Sequence, residues 1–217
     1  MRGKRTKKKS MFAKFMANFR RPRGIVGSLV LSMMNVGHGP MTKRVVADLN
    51  LRHDDVVLDI GCGGGAAIAL MSATADRVFG VDYSKASIKK AIRKNRNAVR
   101  EGRVALEVAD VHELRYPDNS FTLVTAFETI YFWNRIEECF STIHSILKPG
   151  GRFVIAMEAW VEESGKHNFP GIFSSLEPNL YSVGELNRLA IAAGFDHTTV
   201  AQKAMPRWLC MTAYKSA

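Results

Sequence analysis

Cysteine is scarce in this chain. Cys62, Cys139 and Cys210 are three in number and far apart, so neither a disulfide framework nor a zinc site is expected, and a reducing, cytoplasmic compartment fits. No run of 18 or more apolar residues occurs, so no transmembrane helix is expected. The basic start of the chain lacks an apolar core and a small-residue cleavage site, so no secretory signal is expected. Acidic residues are missing from residues 1–23, and no internal repeat is visible.

Hydrophobic residues make up 47% of the 217 positions, enough to bury the core of one domain with an added segment. The net charge of +11 suggests nucleic acid until it is located. Ten of the 31 basic residues fall within 1–23, leaving 21 against all 20 acidic residues in the remainder. In sum the body is nearly neutral, and composition gives no sign of the basic face that a nucleic-acid binder often carries. No DNA partner is expected.

Residues 1–40 read as a basic N-terminal tail with lid helices. Phe12, Phe15, Met16 and Phe19 fall on one helical face, and Gly37-His38-Gly39-Pro40 is a turn. A domain follows over 41–217. It opens with a short helix at 41–50 and then alternates strands with helices. Val56–Ile60 is a continuous apolar run, as a buried parallel strand requires. Further strands are expected at Val78–Val81, Val104–Val108, Phe121–Phe127 and Phe153–Met157. Between them lie helices at 66–74, from a Ser84 cap to about Val99, and at 135–147. An irregular stretch at about 160–180 precedes a Ser182–Glu185 capping box, a helix to Ala193 and a terminal antiparallel hairpin. The alternation predicts a Rossmann-like α/β fold with a mostly parallel sheet and helices on both faces.

The loop Asp59-Ile60-Gly61-Cys62-Gly63-Gly64-Gly65 follows the first strand. Gly61, Gly63 and Gly65 permit a tight turn and a close backbone approach by a ligand, with a helix N-terminus behind them. The spacing also matches a dinucleotide fingerprint, so the loop alone does not choose a cofactor. Three carboxylates do. Asp59 suits a cationic amino group and would be ill-placed beside a pyrophosphate. Asp82, ending the second strand ahead of Tyr83, can accept both ribose hydroxyls, a feature that nicotinamide enzymes share and that points to a nucleoside, not to a particular one. Asp110 can accept from an adenine amino group while the Val111 amide donates to a ring nitrogen.

With DIGCGGG, GVDYS, ADVHEL and LKPGG in this order and spacing, the chain resembles the class I S-adenosylmethionine-dependent methyltransferases. YPDNSFTLVTAFETIYFW followed by ILKPGGRFVIAMEA is similar to their small-molecule, ubiquinone/menaquinone-methyltransferase-like branch. The likeness is strongest over about 41–158. It implies a seven-stranded sheet with an antiparallel last strand. It also implies S-adenosylmethionine as cofactor and S-adenosylhomocysteine as product, with Asp59, Gly61, Cys62, Gly63, Gly65, Asp82, Tyr83, Asp110, Val111 and Glu128 as cofactor-binding positions.

The acceptor site is expected above the carboxyl ends of the strands. There Glu128 can accept a proton, hold an amine or contact the cofactor. Tyr131 and Trp133 can line an aromatic pocket or face the sulfonium, while the plainer alternative is that Phe127, Ile130, Tyr131 and Phe132 simply pack. His38 can reach the site as a base or as a donor to the methionine carboxylate, or can be an ordinary turn histidine. Glu128, Tyr131 and His38 are therefore the catalytic candidates, and Tyr131, Trp133 and Glu158 the substrate-pocket candidates. His112 is expected beside the cofactor. The Asn/Asp-Pro-Pro-Tyr/Phe motif of nucleic-acid amino methyltransferases is missing after this strand, where Phe127-Glu128-Thr129-Ile130 stands instead. The expected activity is methyl transfer to O, N or S of a small metabolite. The competing readings are a macromolecule-directed or membrane-associated enzyme that uses residues 1–23 on RNA or lipid, and a non-catalytic cofactor-binding protein. Oligomeric state is left open.

Overall fold

The computed structural model describes residues 39–164, 179–201 and 208–217. The lid helices, His38, most of the 160–180 segment and the tip of the terminal hairpin lie outside the described residues. Seven strands form one sheet: β1 (Val56–Ile60), β2 (Arg77–Asp82), β3 (Val104–Val108), β4 (Phe121–Phe127), β5 (Leu147–Met157), β6 (His197–Val200) and β7 (Leu209–Tyr214). Their order is β3-β2-β1-β4-β5-β7-β6. β1 to β5 run parallel, and β7 is antiparallel to both β5 and β6. This is the expected seven-stranded, mostly parallel sheet.

β1 lies inside the sheet, next to the central β4, and is buried along its whole length. Strand alternation divides the core into two layers. Leu58, Val124 and Ile155 face one layer with Phe140 and Leu186. Val57, Leu123 and Val154 face the other with Met41 and Ile68. Helices α1 (Gly39–Asp48), α2 (Ala66–Met71), α3 (Lys85–Lys94) and α4 (Arg96–Arg100) supply the second layer. Helices α5 (Ile136–Ile146) and α6 (Val183–Ala192) supply the first.

Some elements differ from the sequence expectation. Gly39 and Pro40, expected in a turn, already open α1, because a proline is tolerated in a helix's first turn. The helix starting at Ser84 divides at Asn95, whose backbone leaves the helical region at φ −105° and ψ 21°. Its buried amide donates to Ala91 O (2.9 Å) and to Gly65 O (3.1 Å), so the break ties the helix to the glycine loop. β5 starts at Leu147 and not near Phe153, because Lys148-Pro149-Gly150-Gly151 runs on within the strand across a register shift opposite Phe121/Leu123. An irregularity is where a strand tolerates proline. The Ser182–Glu185 capping box forms as expected, with both reciprocal hydrogen bonds in place.

Gly65 sits at φ 75°, and a Cβ there would lie 2.6 Å from Asn95 Nδ2 and 2.9 Å from Ala91 Cα. Backbone and a buried amide cannot yield as a flexible side-chain tip can. Gly65→Ala is therefore expected to cost about 2–4 kcal/mol from strain and overpacking, measured as a lowered midpoint in urea unfolding.

Candidate functional site

The parallel strands deliver their carboxyl ends to one edge. β1 pairs with β2 on one side and β4 on the other, so connections leave in opposite directions there, which opens a crevice. A cleft of about 380 Å³ occupies this position. It is lined by Ile60, Gly61, Asp82, Tyr83, Ala109, Asp110, Val111, His112, Thr129, Phe132, Trp133 and Asn134.

The glycine loop is held on both flanks. Gly61 and Cys62 donate N–H to Val81 O at 2.8 and 2.9 Å, and Gly65 N–H closes the turn on Cys62 O at 2.9 Å. Gly61, Gly63 and Gly65 all take positive φ, at 75°, 53° and 75°. A Cβ at Gly61 would come within 2.4 Å of Thr129 Oγ1, so the loop packs directly on the exit of β4. At Gly63 the surroundings are open, and only the backbone conformation demands glycine.

Asp82 accepts from Gly63 N–H (3.0 Å) and Ser84 N–H (2.8 Å) and is 8% exposed. Burial raises its carboxyl above the usual range, and these two bonds oppose that rise. Each carboxylate oxygen can accept more than one bond, so capacity is left for a ligand's hydroxyls. Asp59 lies beneath the loop and not on the cleft wall. It is 1% exposed and accepts from Thr125 Oγ1 at 2.7 Å. Burial pushes its pKa up to about 7, with the Thr125 bond working downward and the charge of Asp82 upward. Burial also pushes the Cys62 thiol well up, with Asp59 and Asp82 adding to the rise, so Cys62 stays a neutral packing side chain.

Asp110 exposes its carboxylate at the end of β3 and caps the short 3₁₀ turn Val111–Glu113 through His112 N–H at 3.0 Å. His112 Nδ1 lies 3.5 Å from Cys139 Sγ. At the end of β4, Glu128 adopts a left-handed φ of 56° and donates N–H to Ala156 O at 2.9 Å. Its carboxylate accepts from the Tyr131 hydroxyl and from Glu158 N–H. Burial first, then Glu128, holds the Tyr131 hydroxyl well above its ordinary pKa, so it is a neutral donor. Trp133 stacks on Phe153 (centroids 6.5 Å apart) while presenting part of its surface to the cleft.

The cleft thus brings together Gly61, Asp82, Tyr83, Asp110, Val111, His112 and Trp133 from among the residues singled out in the sequence. Asp59, Cys62, Gly63, Gly65, Glu128, Tyr131 and Glu158 are not on its wall. They buttress the loop or form the hydrogen-bonded cluster behind β4. Thr125, Thr129 and Asn134 escaped the sequence reading, and Phe132 entered it only as a packing residue. Thr125 had a signal, being the second threonine in the otherwise apolar run Phe121–Phe127, in register with Asp59. Thr129 and Asn134 had none, because their places depend on how the chain leaves β4.

A buried inner strand, a glycine turn and carboxylates on two successive strand ends define an α/β protein built to hold a nucleoside at the sheet's carboxyl edge. The family comparison names the class. Residues 58–155 match the family described as a methyltransferase domain, and this stretch is a domain of the class I S-adenosylmethionine-dependent methyltransferase kind. The 27-O-demethylrifamycin SV methyltransferase of Amycolatopsis mediterranei is 36% identical over 120 residues, covering 53% of this chain and 43% of that protein. Phosphoethanolamine N-methyltransferase 1 of Arabidopsis thaliana is 31% identical over 155 residues, covering 71% of this chain and 31% of that protein. The chain therefore spans less than half the length of these curated relatives. A Haemonchus contortus phosphoethanolamine N-methyltransferase 2, solved with phosphomonomethylethanolamine and S-adenosylhomocysteine, has the same fold. Its TM-score is 0.68 at 20% identity, over 81% of this chain and 52% of that one. Among the described residues no helix is long and apolar enough to cross a membrane.

Asp59 titrates near 7 in the folded chain against 3.8 when free, so the fold favours the protonated acid. The stability this contributes is complete below about pH 4 and is lost as pH rises to about 7. Asp59→Asn keeps an acceptor for Thr125 and removes the titration. It is expected to raise the melting temperature at about pH 8 by several degrees and to leave a shallower pH slope, carried by Asp82. Thermal melts across this range check both.

Proposed function

We propose that the chain transfers a methyl group from S-adenosylmethionine to an oxygen, nitrogen or sulfur nucleophile of a small-molecule metabolite, by in-line displacement. The observation that carries the reading is the gathering of Gly61, Asp82 and Asp110 around one cleft. The donor and acceptor set fits the cofactor. Asp82 would take the ribose hydroxyls, with Tyr83 beside it. Asp110 and the Val111 amide would take the adenine. The backbone of Gly61, Cys62, Gly63 and Gly65 would pass close to the amino-acid portion. Asp59 beneath the loop would balance the cationic amino group, which would hold its carboxyl ionised at neutral pH.

When bound, the cofactor supplies a methyl group already activated on a sulfonium, so the chain's task is to orient the acceptor and exclude water. Phe132 and Trp133 give the apolar wall for that. Glu128, in the cluster behind β4 with Tyr131 and Glu158 and off the described cleft wall, would serve the acceptor side as a carboxylate held in place by Tyr131. His38, outside the described residues, enters as a base or donor on its sequence position alone. Membrane or RNA contact through residues 1–23 rests likewise on the charge of that segment.

Calorimetric titration with S-adenosylhomocysteine, followed by incubation of labelled S-adenosylmethionine with metabolite fractions, tests the reading. Binding is expected, with label in a small molecule. Asp82→Ala should weaken binding by about 10- to 100-fold. Glu128→Gln should keep the affinity and lower turnover by about tenfold or more. A chain that does not bind the cofactor product sinks the proposal, and label found only in RNA or protein sinks its small-molecule acceptor.

A further inference from the structure

We propose that the outer face of α3 and α4 docks this chain onto an anionic lipid surface. The near-neutrality of the body conceals a strong segregation of charge. Residues 85–103 hold eight lysines and arginines against Glu101 alone, a net of +7, while residues 24–84 and 104–217 together carry −6. Lys85, Lys89, Arg93, Lys94, Arg96 and Arg100 are all exposed. Among the described residues no carboxylate forms an ion pair with any of these six, and Glu101, the segment's one acid, is taken by Arg103 at 2.8 Å.

Solubility alone would be served by interspersed signs. Here Lys85 and Lys89, Lys89 and Arg93, Lys90 and Lys94, and Arg96 and Arg100 each stand four residues apart, the spacing at which like charges repel along a helix. Among the described residues no carboxylate pairs with Lys85, Lys89, Arg93, Arg96 or Arg100 to offset this repulsion, whereas an anionic surface would. Lys85, Lys89, Ile92 and Arg93 share one face of α3, and Ile92 on that face is 40% exposed. An isoleucine among cations gains from headgroup burial and gains nothing on a phosphate backbone. Residues 85–103 contain no aromatic side chain, so the stacking platform typical of single-stranded RNA sites is missing. α3 begins directly after Asp82, Tyr83 and its own cap Ser84, so a docked face would set the mouth of the cleft beside the lipid surface. The inference does not depend on methyl transfer.

Vesicle co-sedimentation of the full chain tests it. Vesicles of phosphatidylcholine alone and of phosphatidylcholine with phosphatidylglycerol are compared, alongside a mixed-sequence single-stranded RNA. The wild type is expected on the anionic vesicles only, with binding that falls as salt rises. The variant Lys85→Gln/Lys89→Gln/Arg93→Gln/Arg96→Gln should bind about tenfold or more weakly. Ile92→Ser should also lose affinity. Circular dichroism and S-adenosylhomocysteine binding, unchanged in both, would show that the fold and the cofactor cleft are intact. As a control, Lys4→Gln/Lys7→Gln/Lys8→Gln/Lys9→Gln removes the same charge from the N-terminal segment. The proposal is overturned if the four-site face variant binds anionic vesicles as well as the wild type does, or if the wild type does not bind anionic vesicles; loss of RNA by the face variants in that case would assign the face to RNA.

Discussion

The carboxylate of Asp82 takes the Gly63 and Ser84 amides at 3.0 and 2.8 Å. One buried anion thereby fixes the glycine turn after β1 and the start of α3 after β2. These are two segments that share no strand pairing of their own. The turn is also hung from β2 through Val81 O, which accepts from Gly61 and Cys62, and from α3 through the Asn95 amide on Gly65 O. Remove the charge and two backbone N–H groups lose partners in a site too buried for water to replace them easily, which costs about 1–3 kcal/mol per group. The same geometry leaves Asp82 on the cleft wall, so the group that organises the loop also faces whatever the loop is built to hold.

Much of this was legible before any coordinates. The apolar run Val56–Ile60 marks a strand covered on both faces, and its burial is complete. The alternation of strands with capped helices leads directly to a parallel sheet, and the short spacing of the last two strands to an antiparallel pair. What stayed hidden depended on contacts between distant segments. Asn95 looks like an ordinary polar position on a helix, yet its amide bridges to Gly65, thirty residues away, and the helix breaks there. Trp133 and Tyr131 were equally plausible as pocket walls. The strand exit turns one towards the cleft and the other back to Glu128.

Charge shows the same limit in another form. Summed over the body, 21 basic residues nearly cancel 20 acidic ones, and that sum hides a basic helical face set against an acidic remainder. Electrostatic fields depend on where charges sit and not on their total. With a Debye length of about 8 Å at physiological salt, the exposed cations on α3 and α4 act together locally, while the distant carboxylates barely reach them.

The exit of β4 explains why the acceptor side was the hardest part to read. Glu128 holds φ at 56° without being glycine, a conformation that costs about 1–2 kcal/mol for a residue with a Cβ. Three bonds offset it: its N–H to Ala156 O, and its carboxylate to the Tyr131 hydroxyl and the Glu158 N–H. The reversal this permits sends Thr129 towards Gly61, so closely that no side chain fits there, and brings Phe132, Trp133 and Asn134 round to the cleft. A glycine at this position would allow the turn but would also allow others, because it has no carboxylate to bind the next turn and the end of β5. The strained glutamate selects one path for the chain. Whatever chemistry its carboxylate performs, the shape of the cleft beside the glycine loop already depends on it.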